Sequence, residues 1–317
     1  MIDMTNPAPI AIIAIISLTA LLCPFCGQKD TGNIPEKETE KTWEEKIPGK
    51  ANIPKTEQGP GEKRKSPGQK PKNLHDRLED LNRAIRENPR DPGLYSERGM
   101  VRYLLGDYRG AVADYDAAIA LNPKLADAYV RRGEAKNALK EYAGAIDDFN
   151  EAIRLKPRSA GAYFGRGYAK HMLERYNESI ADYGLAIDLE KGYTKAYYNR
   201  GTVRFEARDY KGALEDFSRV IDLEPDDAFA YLRRAAVREK YGELREALED
   251  YTKAIGLRPR EAAAYYSRGK VRLRLKMDEE GCEDIRKAGS LGWKAASDGM
   301  SARSEERRVG KECRSRW

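Results

Sequence analysis

The sequence is poor in the residues that form metal and redox sites, with two histidines and four cysteines among 317 residues. Cys23 and Cys26 have the spacing of a redox dithiol or of half a zinc site, but the pair ends an apolar segment and no βαβ pattern follows it. His75, His171 and Cys282 are scattered along the chain and give no metal-binding spacing. We therefore expect no metal and no cofactor.

The motifs of several large enzyme classes are also absent. The sequence contains no G-x-S-x-G turn, no G-x-x-x-x-G-K-S/T loop and no H-E-x-x-H helix. It has no strand pattern that would carry a dinucleotide-binding fold. These absences predict a protein that is not an enzyme.

Most of the chain carries no excess of positive or negative charge. The formal net charge is +6, but the excess lies in residues 27–72 and in the last fifteen residues. Residues 73–302 have nearly equal numbers of basic and acidic side chains. Because a balanced surface gives no positive field to attract phosphates, we expect no nucleic-acid partner.

One short phrase recurs every 34 residues. It reads LYSERG at 94, AYVRRG at 128, AYFGRG at 162, AYYNRG at 196, AYLRRA at 230 and AYYSRG at 264. Self-similarity at a fixed period of this length is typical of helical repeat arrays. Tyr197 and Gly201 share one helical face, and Ala213, Phe217 and Val220 share a face of a second helix. Each unit is therefore predicted to contain two amphipathic helices.

These units resemble the tetratricopeptide repeat, an antiparallel helix pair. The bulky fourth position of the unit is Tyr95, Tyr129, Tyr163, Tyr197, Tyr231 or Tyr265, and the small eighth is Gly99, Gly133, Gly167, Gly201, Ala235 or Gly269. The resemblance covers roughly residues 92–293, and the sequence before it fits a second helix without a first. It implies an all-α, right-handed superhelical solenoid of antiparallel helix pairs, with about six 34-residue repeats plus an N-terminal half repeat within residues 73–302.

One arginine and one aspartate also recur in every unit. The pairs are Arg98 with Asp114, Arg132 with Asp148, Arg166 with Asp182, Arg200 with Asp216, Arg234 with Asp250 and Arg268 with Asp284. Catalytic sites do not recur at each step of a solenoid, so the pattern favours ion pairs that hold helices together. The recurring glycines predict spaces for neighbouring aromatic rings.

Because the repeated residues specify packing, a binding site should use positions that differ between units. In the resembled family these positions line the concave face. Here they include Phe164, Tyr168, His171, Tyr198, Thr202, Phe205, Leu232, Glu239, Tyr266 and Lys270. We expect them to bind a peptide segment of a partner protein, with Phe164, Tyr198 and Phe205 as exposed anchors. The alternative is that these rings pack on the next repeat.

The N-terminal 26 residues contain an apolar run from Ile10 to Cys26. Its length is short for a membrane span and suits a signal peptide, although no lysine or arginine precedes it. Cys23 and Cys26 are alternative lipid attachment sites, but neither follows the usual small residue. We expect residues 1–26 to be a signal peptide or membrane anchor, which places the protein in a bacterial cell envelope. Residues 27–72, with six prolines, are predicted to be a disordered linker.

The last fifteen residues, 303–317, match no part of the repeat. They read as the in-frame translation of a common sequencing adapter, and the alternative is a basic tail that binds nucleic acid or membrane. The sequence thus predicts a protein-interaction scaffold whose membrane contact is confined to its N-terminal segment. The rival function is a substrate-recruiting arm of an enzyme whose catalytic domain followed the array.

Overall fold

The computed structural model describes residues 73–293, which form thirteen α-helices and no strand. The helices are α1 (Leu74–Glu87), α2 (Pro92–Leu104), α3 (Tyr108–Leu121), α4 (Ala126–Ala138), α5 (Tyr142–Leu155), α6 (Ala160–Met172), α7 (Tyr176–Leu189), α8 (Thr194–Glu206), α9 (Tyr210–Leu223), α10 (Ala228–Tyr241), α11 (Leu244–Leu257), α12 (Ala262–Arg274) and α13 (Asp278–Ser290). The all-α repeat fold is confirmed. The N-terminal segment, the linker and residues 303–317 lie outside the described residues, so the interpretations of them remain predictions.

The helices stack in the order of the sequence. After α1, each even-numbered helix packs on the helix that follows it, and that second helix packs on the first helix of the next unit. First helices of neighbouring units also contact each other, as α2 with α4, α4 with α6, α6 with α8 and α8 with α10. Second helices do not pack together to this extent within residues 73–293. The stack therefore curves with its first helices on the inside.

The two helices of every unit are joined by a turn that contains one residue in the left-handed conformation. Glycine occupies this place in two units, as Gly106 (φ 83°) and Gly242 (φ 99°). The other units use Lys140, Glu174, Arg208 and Lys276, with φ between 59° and 64°. The turn geometry is thus common to all six units, although only glycine adopts it without steric cost.

The recurring glycines make room for aromatic rings, as the sequence predicted. The Phe149 ring is completely buried between α4 and α6. A Cβ atom added at Gly133 would lie 2.9 Å from the Phe149 ring, and one added at Gly165 would lie closer still. Tyr115 occupies the equivalent space beside Gly99, 2.9 Å from a Cβ placed there. Each ring therefore fills a hole that only a glycine backbone leaves open.

Each unit also contains the predicted arginine–aspartate pair, with a second cation that the sequence analysis missed. The six paired aspartates are all buried, and the predicted arginines lie 2.5–2.7 Å from them. The second cations are Arg102, Lys136, Lys170, Arg204, Arg238 and Arg272, at 2.7–3.0 Å from the same carboxylates. Each aspartate thus holds two cations of the first helix against the second helix.

The same arginines connect neighbouring units through what we call the outer bridge. In five of the six units, Nη1 of this arginine donates a hydrogen bond to a polar side chain on the preceding second helix. The pairs are Arg98 with Asn82, Arg132 with Asp116, Arg166 with Asn150, Arg234 with Ser218 and Arg268 with Thr252. Between α7 and α8 the acceptor position is Gly184, which has no side chain to offer Arg200.

Replacing Gly184 with asparagine should restore the outer bridge and raise the melting temperature. A Cβ atom at this position meets only Nη1 of Arg200, 3.6 Å away, so the side chain fits. Gly184→Ala is the control, since removing a helical glycine alone contributes about 1 kcal/mol. Asparagine favours helices less than alanine does, and we expect it to be the more stable variant by about 1 kcal/mol because of the new hydrogen bond. Equal or lower stability of Gly184→Asn would contradict this assignment.

Candidate partner-binding groove

The inner face of the stack, which we call the groove, is formed by the first helices α2, α4, α6, α8, α10 and α12. Tyr198, Thr202 and Phe205 of α8 lie near its middle and are each half-buried. The Tyr198 ring meets the edge of Phe217 at a centroid distance of 5.6 Å, and the Phe205 ring lies 5.8 Å from that of Tyr210. Both predicted anchors therefore contact the core with part of their surface and remain partly accessible in the groove.

Two predicted groove residues are instead part of the core, and for Phe164, one of the three predicted anchors, the expectation of an exposed ring is wrong. Phe164 is 2% exposed, and its ring stacks on that of Tyr193 at 5.1 Å. Tyr266 is 7% exposed and stacks on Trp293 at 5.4 Å. The covering residues lie outside the first helices, Tyr193 just before α8 and Trp293 after α13. Trp293 stands where the repeat family usually has proline, and it covers the last unit.

Polar groove residues connect successive first helices. Nε2 of His171 on α6 lies 2.7 Å from Oε2 of Glu206 on α8. Glu239 on α10 accepts a hydrogen bond from Arg274 on α12 at 3.3 Å, and Lys270 lies 3.9 Å from the same carboxylate. His171, Glu239 and Lys270 therefore hold neighbouring units together along the groove. Their role in binding stays a prediction.

The other predicted groove residues are half-buried. Tyr168 on α6 meets the edge of the Tyr142 ring at a centroid distance of 6.5 Å. Leu232 on α10 packs against the apolar cluster of Ala235 and Tyr251. The groove thus offers part of an aromatic ring at Tyr168 and part of an aliphatic side chain at Leu232.

A carboxylate that the sequence analysis did not select lies in the N-terminal half of the groove. Glu134, at the ninth position of α4, is only 20% exposed, and its Oε2 accepts a hydrogen bond from Nη1 of Arg131 at 3.0 Å. Burial raises the pKa of the Glu134 carboxyl, and Arg131 offsets that rise only in part. Burial also raises the pKa of the Tyr103 hydroxyl, and the nearby Glu134 charge raises it further. Glu134 occupies the ninth position of its unit, as Tyr168 and Thr202 do in theirs.

Within residues 73–293, no group of three or more histidine, cysteine, aspartate or glutamate side chains could hold a metal ion. No helix in that part of the chain combines the length and the apolar character needed to cross a bilayer.

Comparison with protein-family models agrees with this helical-repeat architecture. Models described as tetratricopeptide repeat match residues 69–132 and 194–227, and one described as TPR repeat matches residues 133–174. The chain thus contains tetratricopeptide repeats, and such repeats are those of protein-interaction scaffolds. Comparison with curated proteins found no match.

Solved structures with the same fold include YrrB, described as a TPR protein with an unusual peptide-binding site. It is 24% identical, and the match covers 59% of this chain and 96% of YrrB at a TM-score of 0.51. The MamA protein is 24% identical, with 54% and 94% covered and a TM-score of 0.50. The C-terminal part of a TPR repeat-containing protein from Cytophaga hutchinsonii is 17% identical, with 72% and 95% covered and a TM-score of 0.60.

Proposed function

We propose that the array binds an extended or helical segment of a partner protein in the groove, and that residues 1–26 hold it at a membrane. The groove binding is supported chiefly by the half-buried rings of Tyr168, Tyr198 and Phe205 along one inner face. Aromatic rings that are partly accessible in a concave surface are typical of binding sites for protein segments. YrrB, which has the same fold, is described as having a peptide-binding site.

The charged residues that pack the helices together differ from those that line the groove. The charges that recur in every unit are buried in ion pairs between helices, as with Asp182 and Lys170. The groove charges differ from unit to unit, for example Glu134 on α4 and Lys270 on α12. A surface that varies along the array can distinguish one partner segment from another, whereas a surface that repeats cannot.

The membrane attachment is supported by the apolar run from residue 10 to residue 26 and by the proline-rich residues 27–72. A flexible chain of forty-six residues, as predicted for residues 27–72, has a typical end-to-end distance of roughly 40 Å. Such a linker would let the array bind partners at some distance from the membrane surface. Fractionation of cells tests this proposal, because the chain without residues 1–26 should then leave the membrane fraction. Equal distribution of both chains would contradict it.

The groove is tested by selecting peptides from a random display library on the immobilised full chain. Truncating Tyr198 or Phe205 would disturb packing, so a bulky side chain is placed in the groove instead. Ala236→Arg on α10 fills the ninth position, and Ala181→Arg on the exposed face of α7 is the matched control. We expect Ala236→Arg to weaken the selected peptides at least tenfold, which is about 1.4 kcal/mol, and Ala181→Arg to leave their affinity unchanged.

Both variants should melt within a few degrees of the unmodified chain, because each replaced alanine has at least part of its surface accessible. Peptides that bind equally well to Ala236→Arg would contradict binding in the groove. Peptides weakened by Ala181→Arg would place the site on the second helices instead. The rival function, a recruiting arm of an enzyme, makes the same groove prediction and differs only in requiring a catalytic domain on the same polypeptide.

A further inference from the structure

The N-terminal half of the groove contains a carboxylate that is only 20% exposed, that of Glu134. Glu134 lies at the ninth position of α4, a helix that contacts both α2, which carries Tyr103, and α6, which carries Tyr168. Burial raises the pKa of the Tyr103 hydroxyl, and the charge of Glu134 on the neighbouring helix raises it further.

The hydrogen-bonding capacity of this carboxylate is largely unused. Two carboxylate oxygens can accept about four hydrogen bonds. Within residues 73–293, Glu134 accepts one hydrogen bond, from Arg131 to its Oε2, and no donor from this part of the chain reaches its Oε1. Arg131 itself is half-exposed and therefore well hydrated. The groove thus presents a negative group that remains able to accept hydrogen bonds from a partner.

We propose that Glu134, together with Tyr103 and Tyr168, binds a lysine or arginine side chain of the partner segment. This proposal rests on the proposed function and names the chemistry that the N-terminal half of the groove recognises. A carboxylate supplies the charge complementary to a cation, and aromatic rings attract cations to their faces. The enclosed position strengthens the attraction, because the site is partly shielded from water.

In the C-terminal half of the groove, the carboxylate already has two basic side chains beside it. Lys270 and Arg274 on α12 share one carboxylate, that of Glu239 on α10. The C-terminal half therefore does not favour a cation, and the partner segment should carry its basic residue only over α2 to α6. This asymmetry fixes the direction in which the segment lies.

Glu134→Gln tests the proposal because glutamine preserves the shape and removes the charge. Asp127→Asn is the matched control, since Asp127 lies on the same helix and its side chain is 85% exposed. Peptides are selected from the same display library on the full chain and on both variants. We expect lysine or arginine at one fixed position of the wild-type peptides. Their affinity should fall at least tenfold with Glu134→Gln and less than twofold with Asp127→Asn.

A double-mutant cycle distinguishes recognition from a structural role. Replacing the fixed lysine or arginine of the peptide with methionine should weaken binding to the wild-type chain and have little effect on Glu134→Gln. The melting temperature of Glu134→Gln at pH 7 should be equal or higher. The sign follows from the raised pKa of Glu134, because ionisation of such a group costs stability above its unfolded pKa.

The failures of the two proposals are distinguishable. Peptides that are weakened by Ala236→Arg but show no fixed basic residue, or bind Glu134→Gln unchanged, would overturn the cation site and leave the groove function standing. Peptides that are indifferent to both Ala236→Arg and Glu134→Gln would overturn the groove function itself. If sedimentation shows a dimer that Glu134→Gln dissociates, the cation belongs to a second copy of this chain, and a separate partner protein is excluded.

Discussion

Replacing Asp182 with alanine should lower the free energy of unfolding by about 3–5 kcal/mol, because it leaves two cations without their shared carboxylate. Arg166 and Lys170 lie 2.6 Å and 2.8 Å from Asp182. Lys170 is the critical member, since it is only 9% exposed and cannot regain its hydration. Thermal or urea denaturation measures the loss.

Asp188→Ala is the matched control on the same helix. Its side chain is 70% exposed and pairs only with the exposed Lys191, so the expected loss is below about 1 kcal/mol. Asp182→Ala combined with Lys170→Met should recover part of the loss, because methionine fills the space without a charge. Equal effects of Asp182→Ala and Asp188→Ala would show that the buried aspartates are not the groups that hold each helix pair together.

Gly165→Ala should destabilise the array by about 2 kcal/mol. Overpacking lowers the stability, and the removal of a helical glycine offsets part of that loss. The added methyl group would overlap the completely buried Phe149 ring, which already contacts Gly133 on its other side. Asn137 Nδ2 donates a hydrogen bond to the Gly165 carbonyl at 3.1 Å, so α6 cannot move away without breaking it. A fall of several degrees in melting temperature is the expected result.

Gly161→Ala, four residues earlier in α6, separates the two effects. A Cβ atom at Gly161 meets no other atom within 4 Å, so this variant should be as stable as the wild type or more stable by up to about 1 kcal/mol. Phe149→Leu should cost less in the Gly165→Ala background than in the wild type. Additive effects of these two substitutions would rule out the proposed contact between them.

Features that repeat were predictable from the sequence because each recurs in most or all of the six units. The 34-residue period, the aromatic rings against glycine and the Arg200–Asp216 type of pair all follow from positions of constant chemistry. The second cation of each buried aspartate was missed because it is arginine in some units and lysine in others, as at Arg204 and Lys170. The pattern is nevertheless present at the eleventh position of every unit.

Features that depend on residues between the helices were not predictable from periodicity. The helical spacing sets the direction in which the Phe164 side chain points from α6. The burial of the Phe164 ring depends on Tyr193, which lies in the connection before α8. Lys140 and Arg208 adopt the left-handed conformation because the turn geometry requires it, although their chemistry gives no such signal. The candidate cation site was missed for a different reason, since Glu134 breaks the aromatic pattern of the groove centre.

The missing outer bridge at Gly184 has a mechanical consequence. Between α7 and α8 the polar contact on the outer side is absent, whereas on the inner side His171 still contacts Glu206. In a stack whose stability is a sum of interfaces between neighbours, such an interface separates first on its outer side. Under tension the array should therefore divide into two blocks of three units that pivot about the groove. A pulling experiment would record two successive force steps rather than one.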